Sequence, residues 1–434
     1  MCGRAHPTGP CPTGRARLPY TQCSLLEGRP RYPWPAERKH ASTQGGALAN
    51  GKKERDPRVE ALRLVAAASI AIFHTFMPWF SAMTGGYGTG PGDGIIDNPI
   101  AAPLLGFINL LGSFGNNVFF CISGLFLIPA AVAAAKETGN GPDCPGYWRA
   151  QARKAARRAA PLLATIAFYV VAVLAVSAFV VPIEDATPEN LPGLLGGLEF
   201  IWVYLVLMVL APAIGWAKAR LEQKPAAWRA VAAVFVVAVF AVNAYIAFVD
   251  QGDVDRGLGD WRKLMSAVTY LAAFVVGGEV SSVRLGRRAA SAFLVATVAA
   301  SLGVETALAH ARELDLMAAT SFKSTSALAF CTAVAAVLFA RSCTSRERAK
   351  KPLDAPVCRA AKSVLGFYIL QSLTMPLWLG ELYGWLVSLY KIPWFTSVHL
   401  IGVGTAASLL LLALMLAIDQ VVRLPLFRRL GLAR

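Results

Sequence analysis

VEALRLVAAASIAIFHTFMPWF, at residues 59–80, is the first of several long apolar stretches in this sequence. Because an α-helix rises about 1.5 Å per residue, about 20 such residues cross the ~30 Å hydrocarbon core of a membrane. Comparable stretches recur along the chain, separated by short polar, charged or Gly- and Pro-containing segments. They predict ten transmembrane helices, near residues 62–82, 104–135, 159–182, 193–217, 227–249, 264–283, 289–309, 317–340, 363–388 and 395–422.

The amino-acid composition supports this class. Of the 434 residues, 56% are hydrophobic and only 16% are charged, whereas soluble domains carry about 25% charged residues. We therefore predict an all-α integral membrane protein with about ten transmembrane helices. The second stretch is too long for one straight crossing. Its glycines, Gly112, Gly115 and Gly124, predict that part of it lies at an interface or re-enters the membrane.

The basic residues follow a topological pattern. The net charge is +16, with 42 Lys and Arg residues. Segments after even-numbered helices, together with the C-terminal end, hold 24 of them, and segments after odd-numbered helices hold five. Since cytoplasmic loops are enriched in Lys and Arg, both termini are predicted to be cytoplasmic. Topology and contact with anionic membrane lipids explain the charge, and no nucleic-acid partner is expected.

The two ends of the sequence differ from its apolar middle. Residues 1–58 are rich in Pro, Gly and Arg, which predicts a disordered basic cytoplasmic tail before a ten-helix domain at residues 59–425. Residues 426–434 are predicted to form a short basic cytoplasmic tail. The sequence contains no CxxC pair, HExxH, Walker loop or GxSxG elbow. Metal-dependent, ATP-driven and serine-hydrolase functions therefore have no local support, and no metal or tightly bound cofactor is predicted.

Polar residues at membrane depth are costly and are therefore the first functional candidates. His74 lies in the first apolar stretch, eleven residues after Arg63. This spacing places both side chains on nearly the same helix face, about 16 Å apart along the axis. Arg63 could bind a phosphate at the cytoplasmic mouth, and His74 could accept a proton from an alcohol or amine. The alternative is a snorkelling Arg63 and a structural, hydrogen-bonded His74, and the spacing alone does not separate the two.

The first stretch resembles the first helix of the membrane acyltransferase-3 family, whose signature is an acidic residue, Leu-Arg, ten residues and then His. Glu60, Arg63 and His74 occupy those positions. Residues 115–124, GNNVFFCISG, are similar to the family's Gly-Val-Asp-Leu-Phe-Phe-Val-Ile-Ser-Gly stretch, with Asn117 where many members have Asp.

Further similarity extends along the chain, over roughly residues 55–425. Residues 147–149 and 157–161, YWR and RRAAP, resemble the aromatic, multi-Arg and Pro sequence that opens the family's third helix. Residues 366–371, GFYILQ, are similar to a late Gly-Ile-Tyr-Leu-Ile-His sequence, with Gln371 in place of the His. A second catalytic imidazole is therefore not assumed.

The resemblance implies transfer of an acyl group, commonly acetyl, from acyl-CoA to a hydroxyl of a cell-envelope glycan, a lipid-linked sugar or another acceptor. It implies that His74 is the catalytic base or a transient acyl carrier. The donor-binding candidates are Arg63, Arg157 and Arg158, and the pocket candidates are Asn116, Asn117, Ser123 and Tyr368. The Asn and Ser side chains would donate hydrogen bonds to the thioester oxyanion, and helix packing is the alternative role.

A carrier function stays open at this stage, because ten helices with buried charge are also typical of exporters and flippases of glycans or lipids. Glu199 and Lys323 receive no assigned role, since an ion pair explains Lys323 as well as a substrate contact does. The predicted location is the bacterial inner membrane. The sequence predicts no particular oligomeric state.

Overall fold

The computed structural model describes residues 55–85, 93–137, 141–142, 145–183, 185–221, 224–249, 258–321, 325–342 and 352–432. These residues are mostly helical and include no β-strand. The helices are α1 (Pro57–Thr84), α2 (Asp93–Ile96), α3 (Ala101–Ala135), α4 (Pro145–Phe179), α5 (Leu191–Gly196), α6 (Glu199–Arg220), α7 (Pro225–Ala244), α8 (Leu258–Val280), α9 (Arg287–Ala311), α10 (Leu314–Thr320), α11 (Ala327–Ser342), α12 (Asp354–Ala360), α13 (Val364–Tyr390), α14 (Ser397–Ile418) and α15 (Leu424–Arg429).

Several of these helices join into longer rods. A π-helical turn at Tyr245–Val249 extends α7, and another at Asp419–Arg423 joins α14 to α15. A 3-10 turn at Ala361–Ser363 joins α12 to α13. Counted with these joins, nine helical segments among the described residues are long and apolar enough to cross a membrane. The described residues therefore form an all-helical, multi-pass membrane protein, as predicted, while the cytoplasmic orientation of its termini stays a prediction.

The eighth predicted span, at residues 317–340, is not a single helix. It corresponds to α10, with seven residues, and α11, with sixteen. Sixteen residues extend only about 24 Å, less than the ~30 Å hydrocarbon core. The prediction of one unbroken span was wrong because hydropathy measures how apolar a segment is and not whether its backbone stays helical.

The second predicted span is a continuous helix, which excludes re-entry, whereas the other predicted possibility, that part of it lies at an interface, stays a prediction. α3 runs without a break for 35 residues, and its glycines serve close packing against neighbouring helices. A side chain at Gly115 would overlap Ile70 and the backbone of Ala66 in α1, and one at Gly124 would overlap the backbone of Phe274 in α8. Small residues of this kind let membrane helices approach closely, which holds α1 and α8 against α3.

The predicted domain boundaries shift by a few residues. α1 begins at Pro57, two residues before the predicted domain, because Asp56 accepts a hydrogen bond from the Arg58 N–H and caps the helix. Residues 1–54 of the predicted tail lie outside the described residues. α15 continues into the predicted C-terminal tail as far as Arg429. α4 begins at Pro145, so Arg157 and Arg158 lie within a helix rather than in the loop before it.

The buried side chains form clusters around α1 and α3. One contains Val118 and Phe120 of α3 with Phe274 of α8. Another joins Ile70 of α1 to Phe367 of α13 and to residues of α4 and α14. Large apolar side chains are exposed on the outer helices, for example Val237 of α7 and Val295 of α9, which suits contact with lipid tails. α1 and α3 therefore occupy the centre of the helix assembly.

Candidate active site

The first helix presents the predicted pair on one face. α1 is helical from Pro57 to Thr84, so Arg63 and His74 have the three-turn relationship that their spacing predicts. Ala67 and Ile70 lie between them on the same face, and both are buried. The face between the guanidinium and the imidazole is thus packed against other helices.

His74 has a nitrogen without a partner. The residue is half-buried, and its Nδ1 is shielded and accepts or donates no hydrogen bond to any described residue. A structural histidine inside a helix bundle normally has both ring nitrogens satisfied. An unpartnered imidazole nitrogen at this depth favours the functional interpretation of His74 over the structural one.

Arg63 forms an ion pair that uses part of its guanidinium. Its Nη1 donates a hydrogen bond of 2.7 Å to Oε1 of Glu60, one turn earlier on α1. The other carboxylate oxygen of Glu60 lies 3.6 Å from Arg55. A guanidinium has five N–H donors and 26% of the Arg63 side chain is exposed, so donors remain for an anionic ligand. Glu60 therefore orients the guanidinium without occupying all of it.

Asn116 is fixed by two tyrosines. Its Nδ2 donates to Oη of Tyr270 at 2.9 Å, and its Oδ1 accepts from Oη of Tyr368 at 3.4 Å. The ring of Tyr368 stacks on Phe200 with 4.7 Å between centroids, and the ring of Tyr270 stacks on Phe120 at 4.4 Å. The structure brings together the pocket candidates Asn116 and Tyr368 from α3 and α13. One N–H and the carbonyl oxygen of the Asn116 amide are therefore engaged by tyrosines, which is suited to a positioning role.

The adjacent Asn117 differs from Asn116. It is completely buried, and neither Nδ2 nor Oδ1 has a hydrogen-bond partner among the described residues. Ser123 is different again, because its hydroxyl donates to the carbonyl of Phe119 in its own helix at 2.8 Å. Of these predicted oxyanion donors, Asn117 is the one whose amide is available, and the Ser123 hydroxyl is engaged by its own helix.

Two of the other unpartnered groups lie on α3 and α13 and were not predicted as site residues. They are Oγ of Ser113, one turn before Asn117 on α3, and Nε2 of Gln371 on α13. The Phe73 ring occupies the space beside Gly112, so this part of α3 lies next to the segment of α1 that carries His74. Sequence patterns could have found Ser113 through its four-residue spacing from Asn117. Gln371 was noted only as a replacement for a histidine.

α13 completes this region. Ile70 and Ala71 of α1 belong to the same buried cluster as Ile369 and Leu373 of α13, on either side of Gln371. The unpartnered polar atoms of α1, α3 and α13 therefore lie on adjoining segments of three helices. Buried polar groups normally have hydrogen-bond partners, so these unpartnered atoms make this region the candidate site, although other buried groups such as Trp79 and Glu305 also lack a partner among the described residues.

The predicted donor-binding arginines are not brought together. Arg158 is exposed and lines a small cleft of about 220 Å³ with Arg423, Thr165 and Tyr204. Arg157 is exposed and is absent from the described lining of that cleft. Arg63 does not line it either. The arginine that shares a cleft with Arg158 is Arg423, which the sequence analysis did not single out.

Glu199 and Lys323 are two further residues to which the sequence assigned no role. Glu199 is exposed at the start of α6, and Lys323 lies outside the described residues. Within the described part of the chain, no group of His, Cys, Asp and Glu side chains could hold a metal ion.

Comparison with known proteins gives one match. A family model described as an acyltransferase domain matches residues 56–418, from the N-cap of α1 to the last residue of α14. The matched range contains every predicted site residue. No curated protein and no solved structure matches the chain.

Proposed function

The chain belongs to the membrane acyltransferase-3 family, and we propose that it transfers an acyl group, expected to be acetyl, from acyl-CoA to a hydroxyl of a cell-envelope glycan, lipid-linked sugar or another acceptor. The observation that carries the proposal is the unpartnered Nδ1 of His74 within the matched domain. We place the protein in a bacterial inner membrane, where acyl-CoA is available on the cytoplasmic side. Both termini are proposed to face the cytoplasm, because the Lys and Arg residues follow the positive-inside distribution.

In the proposed reaction His74 is the general base. An imidazole nitrogen removes the proton of the acceptor hydroxyl while that oxygen attacks the thioester carbonyl carbon. The new C–O bond gives a tetrahedral intermediate with negative charge on the former carbonyl oxygen. The C–S bond then breaks, the carbonyl reforms, and the proton held by the imidazole goes to the departing CoA thiolate. In the alternative mechanism, an imidazole nitrogen of His74 is the nucleophile. It attacks the thioester, carries the acyl group transiently and then passes it to the acceptor hydroxyl.

The oxyanion needs hydrogen-bond donors that are not already engaged. Nδ2 of Asn117 and Nε2 of Gln371 meet this requirement among the described residues, as does the hydroxyl of Ser113. Asn116 is less suited, since its Nδ2 already donates to Tyr270. We therefore assign oxyanion stabilisation to Asn117 and Gln371, with Asn116 and Tyr368 as positioning residues.

Arg63 is proposed to bind the phosphates at the nucleotide end of the donor. Arg63 and His74 are about 16 Å apart along α1, which is comparable to the length of an extended pantetheine arm, but Ala67 and Ile70 fill the face between them, so the arm would have to reach His74 beside that face and not along it. Arg158 is exposed and lines a separate cleft, so it is proposed as a secondary contact for the same polyanion. Glu60 orients Arg63 through their 2.7 Å ion pair.

A direct test uses purified protein and acetyl-CoA labelled in the acetyl group. The expected result is release of free CoA together with label on envelope glycans or lipids from the host membrane. Flux of a glycan or lipid across vesicles without CoA release would instead support the carrier function. Mass spectrometry of the same fractions from a deletion strain would identify the acceptor.

A further inference from the structure

The largest described cleft lies on a different face of α1 from His74. It has a volume of about 970 Å³ and lies between α1, α3, α9 and α11. Its lining on α1 ends at Ser69, five residues before His74, which corresponds to about 140° around the helix. Neither Arg63 nor His74 lines it. The cleft is therefore separate from the proposed active site.

The interior of the cleft is apolar and long. Leu62, Val65, Leu110, Leu294 and Val298 line it, and Ala336 on α11 adds depth because its side chain is small. On α9 the lining runs from Arg287 to Ser301, which corresponds to about 21 Å of helix. Half of the ~30 Å hydrocarbon core is about 15 Å. The cleft is thus long enough for a lipid tail from one leaflet together with the region of its headgroup.

One end of the cleft is cationic. Arg58, in the first turn of α1, and Arg287, the first residue of α9, both line it. Neither guanidinium has an ion pair with a described residue, and the described lining includes no carboxylate. The charge distribution assigns this end to the cytoplasmic surface, where phospholipid headgroups lie.

We propose that this cleft binds an anionic phospholipid of the cytoplasmic leaflet, with one tail in the apolar trough and the phosphate bound by Arg58 and Arg287. The two arginines favour an anionic headgroup because their charge is complementary to it. The length and apolar lining of the cleft favour a lipid tail. Arginine is suited to phosphate because its planar guanidinium donates two parallel hydrogen bonds. The site is independent of the acyl-transfer proposal, since it uses neither His74 nor Arg63.

Native mass spectrometry of detergent-purified, delipidated protein titrated with dioleoylphosphatidylglycerol tests this site. The variant with both Arg58→Gln and Arg287→Gln should bind the lipid about 25-fold more weakly, because each Arg near an anionic headgroup contributes about fivefold. Arg288→Gln is the matched control, since Arg288 is the exposed neighbour of Arg287 and is not among the described lining residues. The Arg288→Gln variant should bind the phosphatidylglycerol with the affinity of the wild type.

A second variant pair tests the trough itself. Ala336→Trp should fill it and reduce lipid binding, whereas Val295→Trp, on the exposed outer face of α9, should not.

Equal binding by the wild type and the double Arg variant would overturn the proposal. So would equal affinity for phosphatidylcholine, which lacks net charge. If palmitoyl-CoA displaces phosphatidylglycerol and depends on the same arginines, the cleft holds the donor's acyl chain and the phospholipid assignment is wrong. The assay reads binding alone, so loss of acyl transfer would leave its result intact.

Discussion

Asp419 binds Arg423 through two hydrogen bonds, from Nε to Oδ1 at 2.6 Å and from Nη2 to Oδ2 at 2.7 Å, with both side chains buried. Tyr169 of α4 adds a third, donating to the same carboxylate at 2.6 Å. The pair lies in the π-helical turn at Asp419–Arg423, and π-helical turns are often found at functional sites. Gly366 of α13 has no side chain, and any side chain there would overlap the Asp419 carboxylate. This ion pair therefore joins α4, α13 and the end of α14.

The first prediction concerns this ion pair. Asp419→Asn should destabilise the protein by about 3–5 kcal/mol, because it leaves the buried guanidinium of Arg423 without its counter-charge. Tyr169→Phe should cost only about 1 kcal/mol, since it removes one hydrogen bond. Thermal unfolding of purified protein in detergent measures both. A double replacement of Asp419 and Arg423 by Leu and Met should recover most of the loss. If the single variant Asp419→Asn were neutral, the pair would have no structural role.

The second prediction concerns Glu305 of α9. The residue is fully buried, and neither carboxylate oxygen has a hydrogen-bond partner among the described residues. Burying a charge without a partner is costly, so Glu305→Gln should leave the thermal midpoint unchanged or raise it. Gly106→Ala should lower the midpoint, because a side chain at Gly106 would overlap Glu305 and Met317. A strongly lowered thermal midpoint in Glu305→Gln would contradict this prediction. It would show that the Glu305 carboxylate is ionised and has a stabilising partner within the membrane.

The sequence predicted the relationship between Arg63 and His74 because both lie on one helix, whose geometry is fixed by its backbone. It did not predict the pairing of Asn116 with Tyr270 and Tyr368, since these residues are more than 150 positions apart and meet only when three helices pack. Hydropathy located the long helices but not the division between α10 and α11. The glycines of α3 suggested re-entry as one possibility, but glycine also marks close helix packing, and that is the role they have in the structure.

The third prediction tests the orientation of the membrane domain. In a background without native cysteines, a single cysteine at Glu189 should react with an impermeant maleimide added outside intact cells. One at Ala355 should react only after the membrane is opened. Both positions are exposed in the structure, so a lack of reaction reflects location and not burial. Outside labelling at Ala355 would reverse the predicted topology and the cytoplasmic assignment of the Arg58 and Arg287 end.

The fourth prediction concerns donor binding by Arg63. Arg63→Lys should raise the KM for acyl-CoA about tenfold with little change in kcat, because a lysine ammonium cannot donate two parallel hydrogen bonds to a phosphate. Arg149→Lys, on the exposed side of α4, is the control and should leave the KM unchanged. An unaltered KM in Arg63→Lys would show that Arg63 does not bind the donor phosphate and that its role is limited to the ion pair with Glu60.

The last prediction separates a catalytic His74 from a structural one. His74→Gln keeps much of the side-chain volume and an amide that forms hydrogen bonds, but the amide cannot accept a proton near neutral pH. Acyl transfer should fall by about 10² to 10⁴-fold, the usual cost of losing a general base, while the thermal midpoint changes little. The small change in stability is expected because Nδ1 of His74 makes no hydrogen bond to a described residue that the substitution would break.

The matched control for His74→Gln is His310→Gln. His310 lies in the last turn of α9, is exposed, and hydrogen-bonds through Nδ1 to the carbonyl of Thr306 at 2.8 Å. The same chemical change there should leave acyl transfer at the wild-type rate per correctly inserted molecule. Transfer near the wild-type rate by His74→Gln itself would remove His74 from the mechanism. In that case the amide groups of Asn117 and Gln371 would still be buried without a full set of partners, but the general base would have to be another residue.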